Sequence, residues 1–235
     1  MLTRISGAHL HMRYEDPACA DCPLTTRACC TGNSAVSGPG FCPAKVDPET
    51  QEHARKAYED PEVARMARVS AQIESAGYAR WPRAMEVIEF AKRMSYGRIG
   101  IAACVELLDV AGVFSDILRS HGFSVISVCC KNDSIPKEEL GVLDSQKVHP
   151  GTFEPTCNPV GQAELLNAHN SELNVLIGLC VGHDTLFHRY AHAPTTTLVV
   201  KDRVLGHNSV AALQQADGYY ANLWGPGGHR TRKRG

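Results

Sequence analysis

Between residues 98 and 202 four short β-rich runs alternate with helical patterns, and that alternation leaves the chain few folds. The runs are RIGIAAC (98–104), FSVISVCC (123–130), LNVLIGLC (173–180) and TTTLVVKD (195–202). Between them lie VELLDVAGVFSDILRSHG, an amphipathic helix closed by Gly122, NPVGQAELLNAHN, opened by Asn158 and Pro159, and HDTLFHRYA. Parallel strands cannot be joined by a hairpin and need a crossover, usually a helix. The pattern therefore predicts an α/β fold: a small doubly wound, Rossmann-like parallel sheet of about four strands, covered on both faces.

The ends of these runs carry an unusual chemistry. Cys104 ends the first, Cys129 and Cys130 the second and Cys180 the third, Lys201 and Asp202 end the fourth, and Cys157 precedes the second helix. In an open parallel sheet all strand C-termini share one edge, the edge where ligands bind. Thiols from segments far apart in sequence are thus expected at one rim. Side chains of adjacent strand residues point to opposite faces, so Cys129 and Cys130 cannot both face the site in the same way. His183 and Asp184 start a helix whose N-terminus favours an anion. With Lys201, Asp202, Arg203 and His207 they supply charged groups for substrate binding or proton transfer. The bland readings are that Asp184 caps a helix, Lys201 is solvated and His207 sits in a turn.

Upstream the composition changes. Ten cysteines among 235 residues is a high count, and five of them lie in CADCPLTTRACCTGNSAVSGPGFCP. That stretch has almost no large apolar residues, so a metal held by thiolates is the expected source of its order. Cys19 and Cys22 form a C-x2-C pair suited to tetrahedral zinc; Cys29 and Cys42 complete the expected set, with Cys30 beside Cys29 as the competing ligand. Residues 47–97 read as three helices. Asp47 and Pro48 open the first, Pro61 restarts the second, and the last carries Met85, Ile88 and Met94 as a packing stripe. The expected organisation is a metal module over 1–46, a helical connector over 47–97, the α/β domain over 98–218 and a basic tail over 219–235.

Lysine plus arginine (24) balances aspartate plus glutamate (25), so charge points to no nucleic-acid partner. Nothing in the sequence resembles a membrane span or a signal peptide, and the cytoplasm is the expected compartment.

The stretches VCCKND, PGTFEPTCNPVGQAELLN, LNVLIGLCVGHDTLF and APTTTLVVKDRVLGHNSVAAL, with CADC, ACCTG and FCP upstream, resemble a family of uncharacterised metal-binding proteins from archaea and anaerobic bacteria, the domain of unknown function 1847 family. The resemblance covers roughly residues 17–214. It implies a cysteine-rich metal module joined to an α/β domain, and it supplies no reaction.

The leading expectation is an iron-sulfur cluster or zinc bound by thiolates, with Cys104, Cys129, Cys130, Cys157 and Cys180 as rim ligands, serving redox or sulfur-transfer chemistry on an unknown small substrate or with a redox partner protein. Gathering thiols from separate strands suits a cluster better than a single ion. A second reading is a cysteine hydrolase or acyltransferase. Gly178 to Gly182 reads G-x-C-x-G, placing Cys180 in a nucleophile elbow followed by Asp202 and His207, and the short gap between those two weighs against it. A third is a metal or cluster carrier that catalyses nothing.

Overall fold

A computed structural model describes residues 16–22 and 38–228; the expectations placed on Cys29, Cys30 and the last seven residues of the tail fall outside the described residues. The chain divides into two compact units, Met1–Arg68 and Val69–Gly235.

In the first unit a 3-10 turn over Cys19–Asp21 leads into Cys22. Helices α1 (Pro43–Val46) and α2 (Pro48–Lys56) follow. The Asp47 side chain accepts a hydrogen bond from the Thr50 amide and Pro48 occupies the first turn, the start signal legible in the sequence. Helix α3 (Pro61–Gly77) crosses the division between the units.

The second unit holds α4 (Arg83–Met94), β1 (Arg98–Ala103), α5 (Leu108–Ser120), β2 (Ser124–Cys129), α6 (Pro159–Ala168), β3 (Leu173–Ile177), α7 (His183–Tyr190), β4 (Thr195–Val199) and α8 (Ser209–Gln214). The four strands form one all-parallel sheet in the order β2-β1-β3-β4. The chain runs outward from β1 to β2, then returns past β1 to β3. This reversal puts a topological switch point between the C-terminal ends of β1 and β3.

Period-two alternation sorts the strand residues between two cores. Ile99, Ile101, Ala103, Leu173, Val175 and Ile177 face α4 and α5, where they meet Ile88, Ala91, Phe114 and Leu118. Ala102 and Leu176 face α6 and α7, where they meet Ala163, Leu166 and Phe187. Phe187 is fully buried, and removing a side chain of that size from water contributes about 2–3 kcal/mol. The expected connector thus divides. Helix α4 buries Val87, Ile88, Ala91 and Met94 and belongs to the α/β core rather than to a linker. Its Arg83 donates to the β4 edge, with Nε 2.7 Å from the Thr197 carbonyl and Nη2 2.9 Å from Thr196 Oγ1.

All four strands are shorter than the sequence runs, β3 and β4 by the most. β3 stops at Ile177 because Gly178 adopts φ +67°, which turns the chain out of the sheet. β4 stops at Val199, after an irregularity in its pairing opposite Leu176 and Ile177. Cys180, Lys201 and Asp202 therefore lie in the loops beyond these strands, not at their ends. Among the described residues no helix is long and apolar enough to cross a membrane.

Between β2 and α6 a long loop folds back on itself. Pro136 and Pro155 form an antiparallel bridge, and the Thr156 amide donates to the Ile135 carbonyl at 2.7 Å. Lys137 pairs with Glu154, whose carboxylate also accepts the amides of Val148 and His149. The Lys137 ammonium and, opposing burial, these two amides hold Glu154 at about 2, below its ordinary 4.5. A depressed carboxylate contributes stability that is fully present above its unfolded value and is lost as pH falls through the folded one. The loop is thus expected to stay protected from amide hydrogen exchange at neutral pH and to lose protection between about pH 4.5 and 2. Glu154→Gln should show the same loss already at neutral pH; equal protection in variant and parent would reject the anchor.

Candidate thiolate site at the sheet rim

The folded-back loop returns Cys157 to the rim. Its neighbour Asn158 donates its amide to the Cys130 carbonyl at 2.7 Å, so the two cysteine segments run side by side. The sulfur atoms of Cys130 and Cys157 lie 3.6 Å apart. Asn158 also caps α6, its Oδ1 accepting the Gly161 amide at 2.8 Å, while its Nδ2 donates to Asn132 Oδ1 at 3.2 Å. Asn132 in turn donates to the carbonyls of Cys129 and Asn158. Gly161 permits this arrangement, since a Cβ there would sit 2.4 Å from Asn132 Oδ1. Buried Gln162 completes the support, donating to the carbonyls of Ala103 and Val128 and holding the ends of β1 and β2 together.

The pair is electrostatically asymmetric. The Cys130 thiol, the His183 ring and the Lys131 charge pull Cys157 down to about 4, against the opposing effect of burial. The Cys157 neighbour and burial push Cys130 up, only partly offset by the Val105 amide that meets its sulfur at 3.3 Å. The opposed shifts describe a pair that shares one proton, with Cys157 the sulfur favoured to lose it. Cys157 is partly exposed and Cys130 buried. Cys157 also sits immediately before the N-terminus of α6, where the helix dipole favours an anion. His183 lies at the start of α7, and its Nδ1 is buried with no hydrogen-bond partner among the described residues.

A second group spans the switch point. Lys201 Nζ donates to Cys104 Sγ at 3.3 Å and to Glu106. Arg203 Nε donates to both Glu106 oxygens, at 3.2 and 3.0 Å, and its Nη2 reaches Cys180 Sγ at 3.6 Å. Glu106 is held below the usual carboxylate range by Lys201 and Arg203. Burial works against the Lys201 charge, but Glu106 and Cys104 outweigh it and raise its pKa.

The remaining expected residues serve local structure. Asp184 Oδ1 accepts the amides of Gly182 and Thr185 at the start of α7. Asp202 Oδ1 accepts the amides of Val204 and Leu205. Asp202 and His207 do meet, but through the Asp202 amide, which donates to His207 Nδ1 at 3.1 Å, and not through the carboxylate. With Arg203 as the partner of Cys180, the geometry does not assemble the nucleophile, histidine and acid of a hydrolase. Cys129 packs in the same cluster as the pair, its sulfur accepting the Lys131 amide at 3.5 Å. Glu106 and Asn132 had no signal in the sequence beyond their position after strand ends, and Gln162 none beyond its place in a helix.

In the first unit, the Cys22 amide donates to the Cys19 carbonyl, and the Ala18 amide donates to the Phe41 carbonyl, which draws the C-x2-C turn toward Cys42. Among the described residues no group of three or more His, Cys, Asp or Glu is arranged to hold a metal ion, in this unit or at the rim. Cys104 and Cys180 are each partnered by a cation, and Cys130 and Cys157 by one another.

A model of a protein family of unknown function, DUF1847, matches residues 42–198. The chain belongs to the DUF1847 family. An uncharacterised protein of Methanocaldococcus jannaschii is 47% identical over 156 residues, which cover 66% of this chain and 79% of that protein. The DUF1847 match includes Cys104, Cys130, Cys157, Cys180 and His183, and leaves Cys19, Cys22, Cys29, Lys201, Asp202 and Arg203 outside it.

Proposed function

We propose that this protein is a thiol-based redox or sulfur-transfer protein that works in a reducing cytoplasm. Its reacting group is the Cys157 thiolate and its resolving group Cys130. The observation that carries this reading is the 3.6 Å approach of a partly exposed and a buried cysteine sulfur at the ligand-binding edge of a parallel sheet. Such a pair performs thiol–disulfide exchange. Cys157 attacks one sulfur of a small disulfide, forming a mixed disulfide and releasing the other half as a thiolate. Cys130 gives up its proton and attacks the Cys157 sulfur, releasing the second half. The protein ends as the Cys130–Cys157 disulfide and the substrate as two thiols. Closing the bond brings the sulfurs from 3.6 Å to about 2.05 Å. A sulfane sulfur donor would load Cys157 through the same first step, with the donor's remaining sulfur leaving as a thiolate.

A metal remains a proposal for the first unit, where Cys19, Cys22 and Cys42 with Cys29 would be the ligands and the backbone bond between Ala18 and Phe41 favours it. One experiment addresses both points. Protein purified without oxygen is assayed for metal and acid-labile sulfide, then exposed to a small disulfide and mapped by mass spectrometry. The expected product is a Cys130–Cys157 disulfide with any metal retained. Disulfides scattered over other cysteines, or a rim that releases metal as it oxidises, would overturn the dithiol reading.

A further inference from the structure

Lys201 is buried to 3% side-chain exposure, yet the carboxylate that pairs with it belongs to a residue whose side chain is 50% exposed. Arg203 converges on the same carboxylate from the solvent side. Two cations on one anion leave a net positive charge. That charge lies between Cys104 and Cys180 at the switch point of β1 and β3, where open α/β sheets bind their ligands. Glu106 itself stands on a single 3-10 turn, Val105–Leu107, with its side chain reaching back into the site. A rotamer change carries it out without breaking a backbone hydrogen bond, whereas Lys201 is fixed by burial and by Cys104.

We propose that Lys201 and Arg203 form the recognition subsite for an anionic group, carboxylate or phosphate, of the substrate that reacts at the rim thiols, and that Glu106 occupies this subsite until substrate replaces it. The proposal rests on the thiol-exchange reading and adds the substrate class: a small anionic disulfide or sulfur donor. Arg203 presents a planar fork that matches a carboxylate or phosphate edge, and Lys201 supplies a point charge from below. Displacing Glu106 exchanges one charge-assisted contact set for another, so affinity is modest in the parent protein and rises when the internal competitor is weakened.

The test titrates the full reduced chain by calorimetry with suberate, a dicarboxylate of the length of dithiodipropionate but without its sulfurs, and separately with inorganic phosphate. Suberate is expected to bind, roughly tenfold tighter to Glu106→Gln and roughly tenfold weaker to Arg203→Gln, with affinity falling as salt is added. A merely structural ion pair would not make Glu106→Gln the tighter binder. Binding of phosphate alone would support the subsite and assign it to a phosphate-bearing substrate. Absence of binding for both ions in the parent and in Glu106→Gln would overturn it. Exchange rates with dithiodipropionate and with neutral hydroxyethyl disulfide, each relative to a free thiol, separate the two readings. Anion binding without exchange removes the thiol reading and keeps the subsite; exchange without anion binding or anionic preference removes the subsite alone.

Discussion

Alkylation of Cys157 is expected to proceed at about pH 6 with most of the rate it shows at about pH 9, whereas an ordinary thiol slows roughly two-hundredfold over that interval because its thiolate fraction collapses below a pKa of about 8.5. The cause is the Cys130 hydrogen bond first, then the His183 ring and the Lys131 charge, against burial. The amplitude of the rate is the wrong readout. Lowering a thiol's pKa also lowers the intrinsic nucleophilicity of its thiolate, with a Brønsted slope of about 0.4–0.5. The shape of the pH profile carries the signal, read by mass spectrometry at the Cys157 peptide. Cys157→Ser removes the pH-insensitive phase entirely. Cys130→Ala takes away the largest stabilising contact and should move the profile of Cys157 back toward the ordinary range. A Cys157 profile in the parent protein that declines like a free thiol would sink the shared-proton description.

Gly178→Ala should be the most damaging single-methyl change in the α/β unit. Gly178 holds φ +67°, a left-handed conformation that strains any residue with a Cβ. The added atom would also sit 2.1 Å from Leu107 Cδ1, well inside contact distance, and Leu107 belongs to the core packed against the sheet. Strain costs about 1–2 kcal/mol and overpacking about 1–3 kcal/mol, so a loss of roughly 2–5 kcal/mol is expected. For a domain of this size that corresponds to about 5–20 °C in melting temperature. If Leu107 is first shortened, as in Leu107→Ala, the methyl finds room, and adding Gly178→Ala to that background should cost only the backbone strain. Equal costs in both backgrounds would show that the clash is not the cause.

The α/β fold was legible because the alternation of strand and helix leaves few other options, and the rim thiols were legible because parallel strands deliver their C-termini to one edge. What connects the thiols was not. The pairing of Cys130 with Cys157 depends on a loop of 27 positions closing through Pro136 and Pro155, a contact without a periodic trace. Strand ends were overrun for a local reason: the apolar run continues through Leu179 and Cys180, while one glycine dihedral ends β3 before them. Glu106 read as an ordinary solvated acid because its two cations arrive from almost a hundred residues away. Asp202 and His207 lie in the order a hydrolase would use, but their turn makes an amide the point of contact. The packing stripe of α4 was visible in the periodicity, yet its membership in the α/β core required knowing that β1 and β3 present the facing surface.

Arg83 gives α4 a second role. β4 is the outermost strand on its side of the sheet, and an outermost strand offers backbone groups that a neighbouring molecule's strand can engage. The Arg83 guanidinium occupies the Thr197 carbonyl and the Thr196 hydroxyl on that strand. The arginine that opens a core helix thus ties up one carbonyl and one hydroxyl of the strand that borders the sheet, joining the helix layer to the sheet's rim at that point.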